Sequence, residues 1–256
     1  KCTADVTVTG ANATGGLVGD SSGTVTKSAA LGSVTGTSIT GGLVGDSSGD
    51  IYDSHSGGDV SGESCTGGFA GYSDGAVKGC YSLGNVSGTD YTGSFAGAIA
   101  KADTVIGAGR VSVVGTPTQG YNGGFAGQLG GVLTGPGSQI TVKNAFGNCS
   151  QADGPALSVI GNTTSYTSDS QRAALEGMTL STVKETADKL YELFGVYLRH
   201  SDAADEAAKY ADTVVLPADA QVGDVLSLLK PGTTAADGVT VSYSVAGDTF
   251  SGGSAL

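Results

Sequence analysis

Tryptophan is missing from this chain of 256 residues, methionine occurs once and histidine twice. Phe, Tyr and Trp together make up only 6%. With so few of them, no aromatic box or histidine-based catalytic set suggests itself. No apolar run approaches the ~20 residues of a bilayer span, which argues against membrane insertion within this stretch. Basic residues number 12 against 24 acidic ones, a net charge of −12. Nucleic-acid binding needs basic patches and is set aside; the acidic balance suits a soluble protein outside a cell. The four cysteines, Cys2, Cys65, Cys80 and Cys149, include no CxxC pair, so a structural zinc site is disfavoured. They allow three complete disulfide pairings, which would fit a secreted setting. The alternative is free buried thiols standing where a repeat otherwise has serine. The chain begins at Lys1 without a signal peptide and closes on Ser251-Gly-Gly-Ser-Ala-Leu256, as a mature fragment of something longer would.

Glycine, by contrast, is abundant: 45 residues, 35 of them in 1–150, which marks a compositional boundary near residue 150. Much of it belongs to one recurring stretch. Gly41-Gly42-Leu43-Val44-Gly45-Asp46 follows Gly15-Gly16-Leu17-Val18-Gly19-Asp20 by 26 residues. Gly67-Gly68-Phe69-Ala70-Gly71 and Gly93-Ser94-Phe95-Ala96-Gly97 follow at the same spacing, and Gly123-Gly124-Phe125-Ala126-Gly127 after 30. A fixed period of this size signals a stacked repeat. Three apolar columns emerge in register. The first is Leu17, Leu43, Phe69, Phe95, Phe125; the second is Val25, Ile51, Val77, then Val105 and Leu133; the third is Val8, Val34, Val60, Val86, then Val111 or Val113. Gly, Ser, Thr, Asp and Asn fill the gaps as turn formers. Each unit reads as three short strands, too poor in apolar side chains to fold alone, so stacking must supply the core. The expectation is an all-β solenoid, parallel β-helix-like, of about five coils of ~26 residues and of either hand, about 25 Å tall at ~4.8 Å per coil.

The Gly-Gly-Leu-Val-Gly unit, the following Gly-x-Val/Ile and Cys80-Tyr81-Ser82-Leu83-Gly84-Asn85-Val86-Ser87-Gly88 resemble the GLUG-motif repeat of bacterial surface proteins over about residues 5–135. The resemblance implies a secreted or wall-attached bacterial protein, adhesin-like or part of a large modular enzyme such as an immunoglobulin A peptidase. The motif is structural and carries no catalytic residues. Two units depart from the pattern: Ser94 replaces a glycine, and Lys101–Val114 reads as longer than its counterparts, predicting a bulge from one face.

Beyond residue 150 the composition changes. Residues 151–212 read as a mainly helical cap or linker, with a capping box at Thr182-Val183-Lys184-Glu185 and an apolar stripe of Val183, Ala187, Leu190, Phe194 and Tyr197. Asp202–Ala211 suggests a second short helix. Residues 213–256 read as a partial β segment, with strands at Thr213–Pro217 and Val239–Val245 and a short helix or strand at Val222–Leu229. This segment weakly resembles the opening strands of a bacterial immunoglobulin-like module.

The candidate sites are sparse. His55 shares a repeat position with Ala29 and Tyr81 and reads as a surface-column residue; His200 closes a helix. Asp20, Asp46, Asp50 and Asp53 sit in Asp-Ser-Gly turns, where stacked carboxylates would suit Ca²⁺; the alternative is that such turns cap their own backbone. No other cofactor is expected. Tyr72, Tyr81, Tyr91 and Tyr121 cluster in the middle coils, where exposed rings would stack on sugars; the alternative is that they edge the core like Ile39 and Cys65. Asp50, Asp53, Asp59 and Glu63 lie too close together to make a polysaccharide-cleaving site by themselves. No enzymatic set is recognised. The sequence therefore points to a structural and adhesive module of an extracellular bacterial surface protein, partnered by a host or neighbouring-cell protein or glycan. A carbohydrate-binding or -cleaving β-helix is the alternative.

Overall fold

The computed structural model describes residues 1–130, 140–148, 157, 160–161, 179–181, 189–190, 192–194, 242–245 and 248–251. It is a β-solenoid of about five turns. One coil carries five short strand segments rather than the three expected. In the second coil these are Ser38–Gly41, Val44–Ser47, Ile51–Tyr52, His55–Ser56 and Val60–Ser61. Each pairs in parallel with its copy in the coils below and above, giving a 12-stranded sheet A and two five-stranded sheets, B and C. Val34, Val60, Val86 and Val111 are in register in sheet B, and Thr40, Thr66 and Thr92 in sheet C. In the third and fourth coils the sheet A segments fuse into the long strands Ala70–Ser82 and Ala96–Gly107.

Each of the first four coils also carries two positive-φ positions, and in the first two coils the second of them, Lys27 or Asp53, separates two strand segments. Ala13, Ile39, Cys65 and Tyr91 form one file of positive-φ residues; Lys27, Asp53, Gly79, Thr104 and Asn144 form the other. A residue in this conformation reverses the in–out alternation of a strand and bends the chain. The repeated glycine motif follows from the first file. At Gly71 a Cβ would lie 2.6–2.8 Å from backbone atoms of Thr40, Ile39 and Gly45, so a side chain there would push the coils apart.

The first apolar column is continuous. The amides of Leu17, Leu43, Phe69 and Phe95 donate to the carbonyls of Leu43, Phe69, Phe95 and Phe125. Phe69, Phe95 and Phe125 are fully buried and stack face to face, at 4.8 and 5.4 Å between ring centroids. Leu43, Val34, Val60 and Val86 are buried as expected. Leu17 is only half-buried, because it lies in the first coil and is covered from one side. The second column runs Val25, Ile51, Val77, Ala102, Val142. Val105 belongs to the neighbouring file of Cys80 and Ala145, and Leu133 lies outside the described residues. The interior also holds polar files. Thr14, Thr40, Thr66 and Thr92 are buried in one of them, facing Gly10, Gly36, Gly62 and Gly88.

Ser94, which breaks the double glycine, is compensated across the coil. In the first three coils a small side chain, Ala30, Ser56 or Ser82, faces the second glycine, Gly16, Gly42 or Gly68, and in the fifth Gly147 faces Gly124. Opposite Ser94 stands Gly107, and the Ser94 hydroxyl donates to the carbonyls of Gly107, at 3.0 Å, and Gly124. The two residues have exchanged roles.

The expected bulge is displaced. Lys101–Val113 matches Ala76–Gly88 residue for residue, and the fourth coil is one residue short just before it, between Ile99 and Lys101, where the register against Ser73 and Ala76 falls from 26 to 25. Thr92 pairs with Asn122, 30 residues on, so five additional residues lie between Val113 and Asn122. Ten more lie between Leu129 and Thr141, where the register changes from 30 to 40. Pairing also continues past residue 150, since Thr179–Ser181 adds a rung beside Phe146–Asn148. The first compact unit accordingly runs from Lys1 to Thr186.

The second unit spans Ala187–Leu256. Residues 189–190 and 192–194 are helical, as the apolar stripe predicts. Ser242–Val245 and Asp248–Ser251 form an antiparallel pair. The capping box, the Asp202–Ala211 helix, the Thr213–Pro217 strand, Val222–Leu229 and His200 lie outside the described residues.

Candidate ligand-binding surface

Sheet B presents an open groove lined by polar side chains and by Val34, Val60 and Val86 beneath them. Its strands turn Val34, Val60, Val86 and Val111 inward, so their chain neighbours face out. These outward residues are hydroxyls on one side, Thr35, Ser61, Ser87 and Ser112, stacked one per coil. On the other side they are Ser33, Asp59 and Asn85, and the groove encloses ≈ 280 Å³. Asp59 accepts the amide of Asn85 through Oδ1 at 2.9 Å, and Asn85 accepts that of Arg110 at 3.1 Å. This polar file ties each coil to the next.

Where sheet B ends, the five-residue insertion begins. Residues Val114 to Gly120 are all exposed. Their backbone is nevertheless pinned, because Asp90, only 9% exposed, accepts three successive amides, of Thr118 at 2.8 Å, Gln119 at 2.9 Å and Gly120 at 2.7 Å. Burial pulls the Asp90 carboxyl upward, but these donors outweigh it and hold its pKa below the ordinary value. Both feet of the loop are fixed too. The amide of Val114 donates to the Gly88 carbonyl at 2.8 Å, and the Asn122 side chain bonds the Thr89 carbonyl and the Thr92 amide.

The four tyrosines do not share one platform. Tyr91 and Tyr121 meet edge to face, 5.2 Å between centroids, at the foot of this loop. Tyr72 is 4% exposed and stands in a different file, Asp20–Asp46–Tyr72–Ala98–Gln128. Tyr81 stacks on His55 at 4.9 Å, in the file of Ala29 and Ile106. Burial holds the His55 pKa below its ordinary value.

The four aspartates also separate. Asp20 and Asp46 are cross-strand neighbours. Burial first, then the charges of Asp20 and Asp74, push the Asp46 pKa up. Asp50 instead accepts the Tyr52 hydroxyl at 2.8 Å and, from the next coil, the Ala76 amide at 2.9 Å, so its carboxylate ties two coils together rather than capping its own turn. Asp53 belongs to the second positive-φ file. Among the described residues no three His, Cys, Asp or Glu side chains converge to hold a metal. The outer face of sheet A carries a charge ladder in which Asp103 lies between Lys78, at 3.9 Å, and Lys143, at 3.3 Å. Cys2, Cys65 and Cys80 are free thiols. Cys80 stands in a file with Ser28 and Ser54, as the serine-replacement reading expected. Burial raises Cys65 to about 11 and Cys80 to about 12.

Sequence reasoning missed Asp90 and the hydroxyl file. The file has a signal, Val34-Thr35-Gly36, Val60-Ser61-Gly62 and Val86-Ser87-Gly88 at constant spacing. Asp90 has none, because its role depends on where the insertion falls. Searches against protein-family models, curated proteins and solved structures returned no match. Among the described residues no helix is long and apolar enough to cross a membrane.

Proposed function

We propose that the solenoid is a structural and adhesive module of a secreted or wall-attached bacterial surface protein, a stiff spacer that also displays a binding surface. The observation that carries this reading is the division of labour between files. Inward positions keep to apolar or small side chains from coil to coil, as in Leu17, Leu43, Phe69, Phe95 and Phe125, or Val34, Val60, Val86 and Val111. Outward positions change from coil to coil, as in Thr26, Tyr52, Lys78, Asp103 and Lys143. Continuous parallel pairing between coils gives stiffness along the stack, and variable outward files give a surface that adapts to a partner without disturbing the core.

The reading is tested by coating beads with the protein and measuring their retention on host cells, matrix proteins and glycans, with a heat-unfolded sample as control. Specific, fold-dependent retention supports it; retention equal to the control on every surface defeats the adhesive half. The groove of stacked hydroxyls favours a second reading, a carbohydrate-binding or -cleaving β-helix, whose cleaving form predicts release of reducing sugar from polysaccharide.

A further inference from the structure

We propose that the shoulder made by Tyr91, Tyr121 and the loop from Val114 to Gly120 is a binding subsite for an uncharged sugar. This inference rests on the adhesive reading and names the chemistry of its contact.

Three observations converge there. First, the chain leaves the regular coil by five residues at this corner and exposes every residue of the loop. A loop on a rigid repeat scaffold is where recognition is commonly placed. Second, the loop is ordered from beneath. Three consecutive amides converge on the buried Asp90 carboxylate, so the backbone is fixed before a partner arrives and little ordering entropy opposes binding. Third, an aromatic pair stands at the loop's foot, with Tyr91 held in a positive-φ corner and Tyr121 edge-on against it.

The chemistry selects the ligand. The loop offers Thr116, Thr118 and Gln119, neutral groups that both donate and accept hydrogen bonds. It carries no charged side chain, and the one carboxylate beneath it is committed to backbone amides. A pyranose has an apolar C–H face to lie on a tyrosine ring and hydroxyls to meet threonine and glutamine. Anionic sugars gain no cation from the loop.

The test is a printed array of neutral and sialylated oligosaccharides, probed with the wild-type protein and with Tyr121→Ala, Tyr121→Phe, Gln119→Ala and the distant Lys27→Asn. The expected result is binding to neutral members. Tyr121→Ala and Gln119→Ala should each weaken it by about tenfold or more, a change of about 1.4 kcal/mol. Tyr121→Phe should retain most of it, Lys27→Asn all of it, and the exposed Gln119→Ala should melt with the wild type. A blank array, binding confined to sialylated members, or binding that survives both Tyr121→Ala and Gln119→Ala overturns the proposal. The bead assay separates the two readings: beads still retained by cells when both substitutions are present leave the module adhesive and this subsite wrong. Wild-type beads that are never retained remove the adhesive reading itself.

Discussion

Replacing Thr66 by valine should make the solenoid more stable. Thr66 is fully buried in the middle of the file Thr14, Thr40, Thr66, Thr92, and the Oγ1 atom of each member lacks a hydrogen-bond partner. The hydroxyls face a glycine file; a Cβ on Gly62 would overlap Thr66 Oγ1 itself and lie 3.1 Å from Thr40 Oγ1. An unmade hydrogen bond on a buried hydroxyl costs about 1–3 kcal/mol. Valine removes that penalty and adds apolar surface worth about 0.8 kcal/mol. Against this, a methyl is slightly larger than a hydroxyl, and crowding against Gly62 returns about 1 kcal/mol. The balance is a gain of about 1–3 kcal/mol, or a rise of about 2–12 °C in the melting midpoint of a chain this size. Thr66→Ser, which keeps the hydroxyl and loses the methyl, should melt lower. Circular dichroism melts of the three proteins measure both changes. If valine lowers the midpoint while serine leaves it unchanged, the hydroxyl is bonded, for instance to an ordered water, and the reasoning fails.

Three further outcomes are expected. Phe95→Ala removes the middle ring of the buried Phe69–Phe95–Phe125 stack and should cost about 3–5 kcal/mol in chemical denaturation. Asp46→Asn should raise stability at neutral pH. Because the folded pKa of Asp46 is raised, by burial and then by Asp20 and Asp74, its ionised form opposes folding, and that opposition fades as pH falls through the folded pKa towards the ordinary carboxylate value of about 3.9. The difference between variant and wild type should therefore shrink on acidification; a difference independent of pH refutes the assignment. Alkylation followed by peptide mass spectrometry should label the exposed Cys2 in the folded protein and spare the buried Cys65 and Cys80 until denaturant is added.

The stacking direction and the buried columns were legible in the sequence because their causes are local and repeated. Gly71 and its counterparts must be glycine for the backbones to touch, and Phe69, Phe95 and Phe125 fill the same interior place. The five-segment coil was not legible. The positive-φ positions that bend each coil are taken by Ala13, Ile39, Cys65, Tyr91, Lys27, Asp53, Thr104 and Asn144, with glycine only at Gly79, so residue type does not announce them. The same corners explain why the tyrosines were grouped wrongly. Tyr72 and Tyr81 lie on one strand, but the positive-φ Gly79 intervenes, and simple alternation no longer places their rings. The insertion was misplaced because one residue lost between Ile99 and Lys101 and five gained after Val113 leave only their net effect in the spacing of the glycine motifs.

The exchange between Ser94 and Gly107 constrains how such an array can grow. Arrays of this kind lengthen when a segment of gene is copied in tandem, and any 26-residue window would at first sight serve as the copied unit. A breakpoint falling between residues 94 and 107 can instead put Ser94 opposite a serine such as Ser82, giving one coil two side chains in the space for one. Glycine opposite glycine is accommodated, as Gly124 and Gly147 stand in the fifth coil. Only duplications that set Ser94 against another side chain are therefore disfavoured, and part of the reading frame of duplication is written into a single contact across the core.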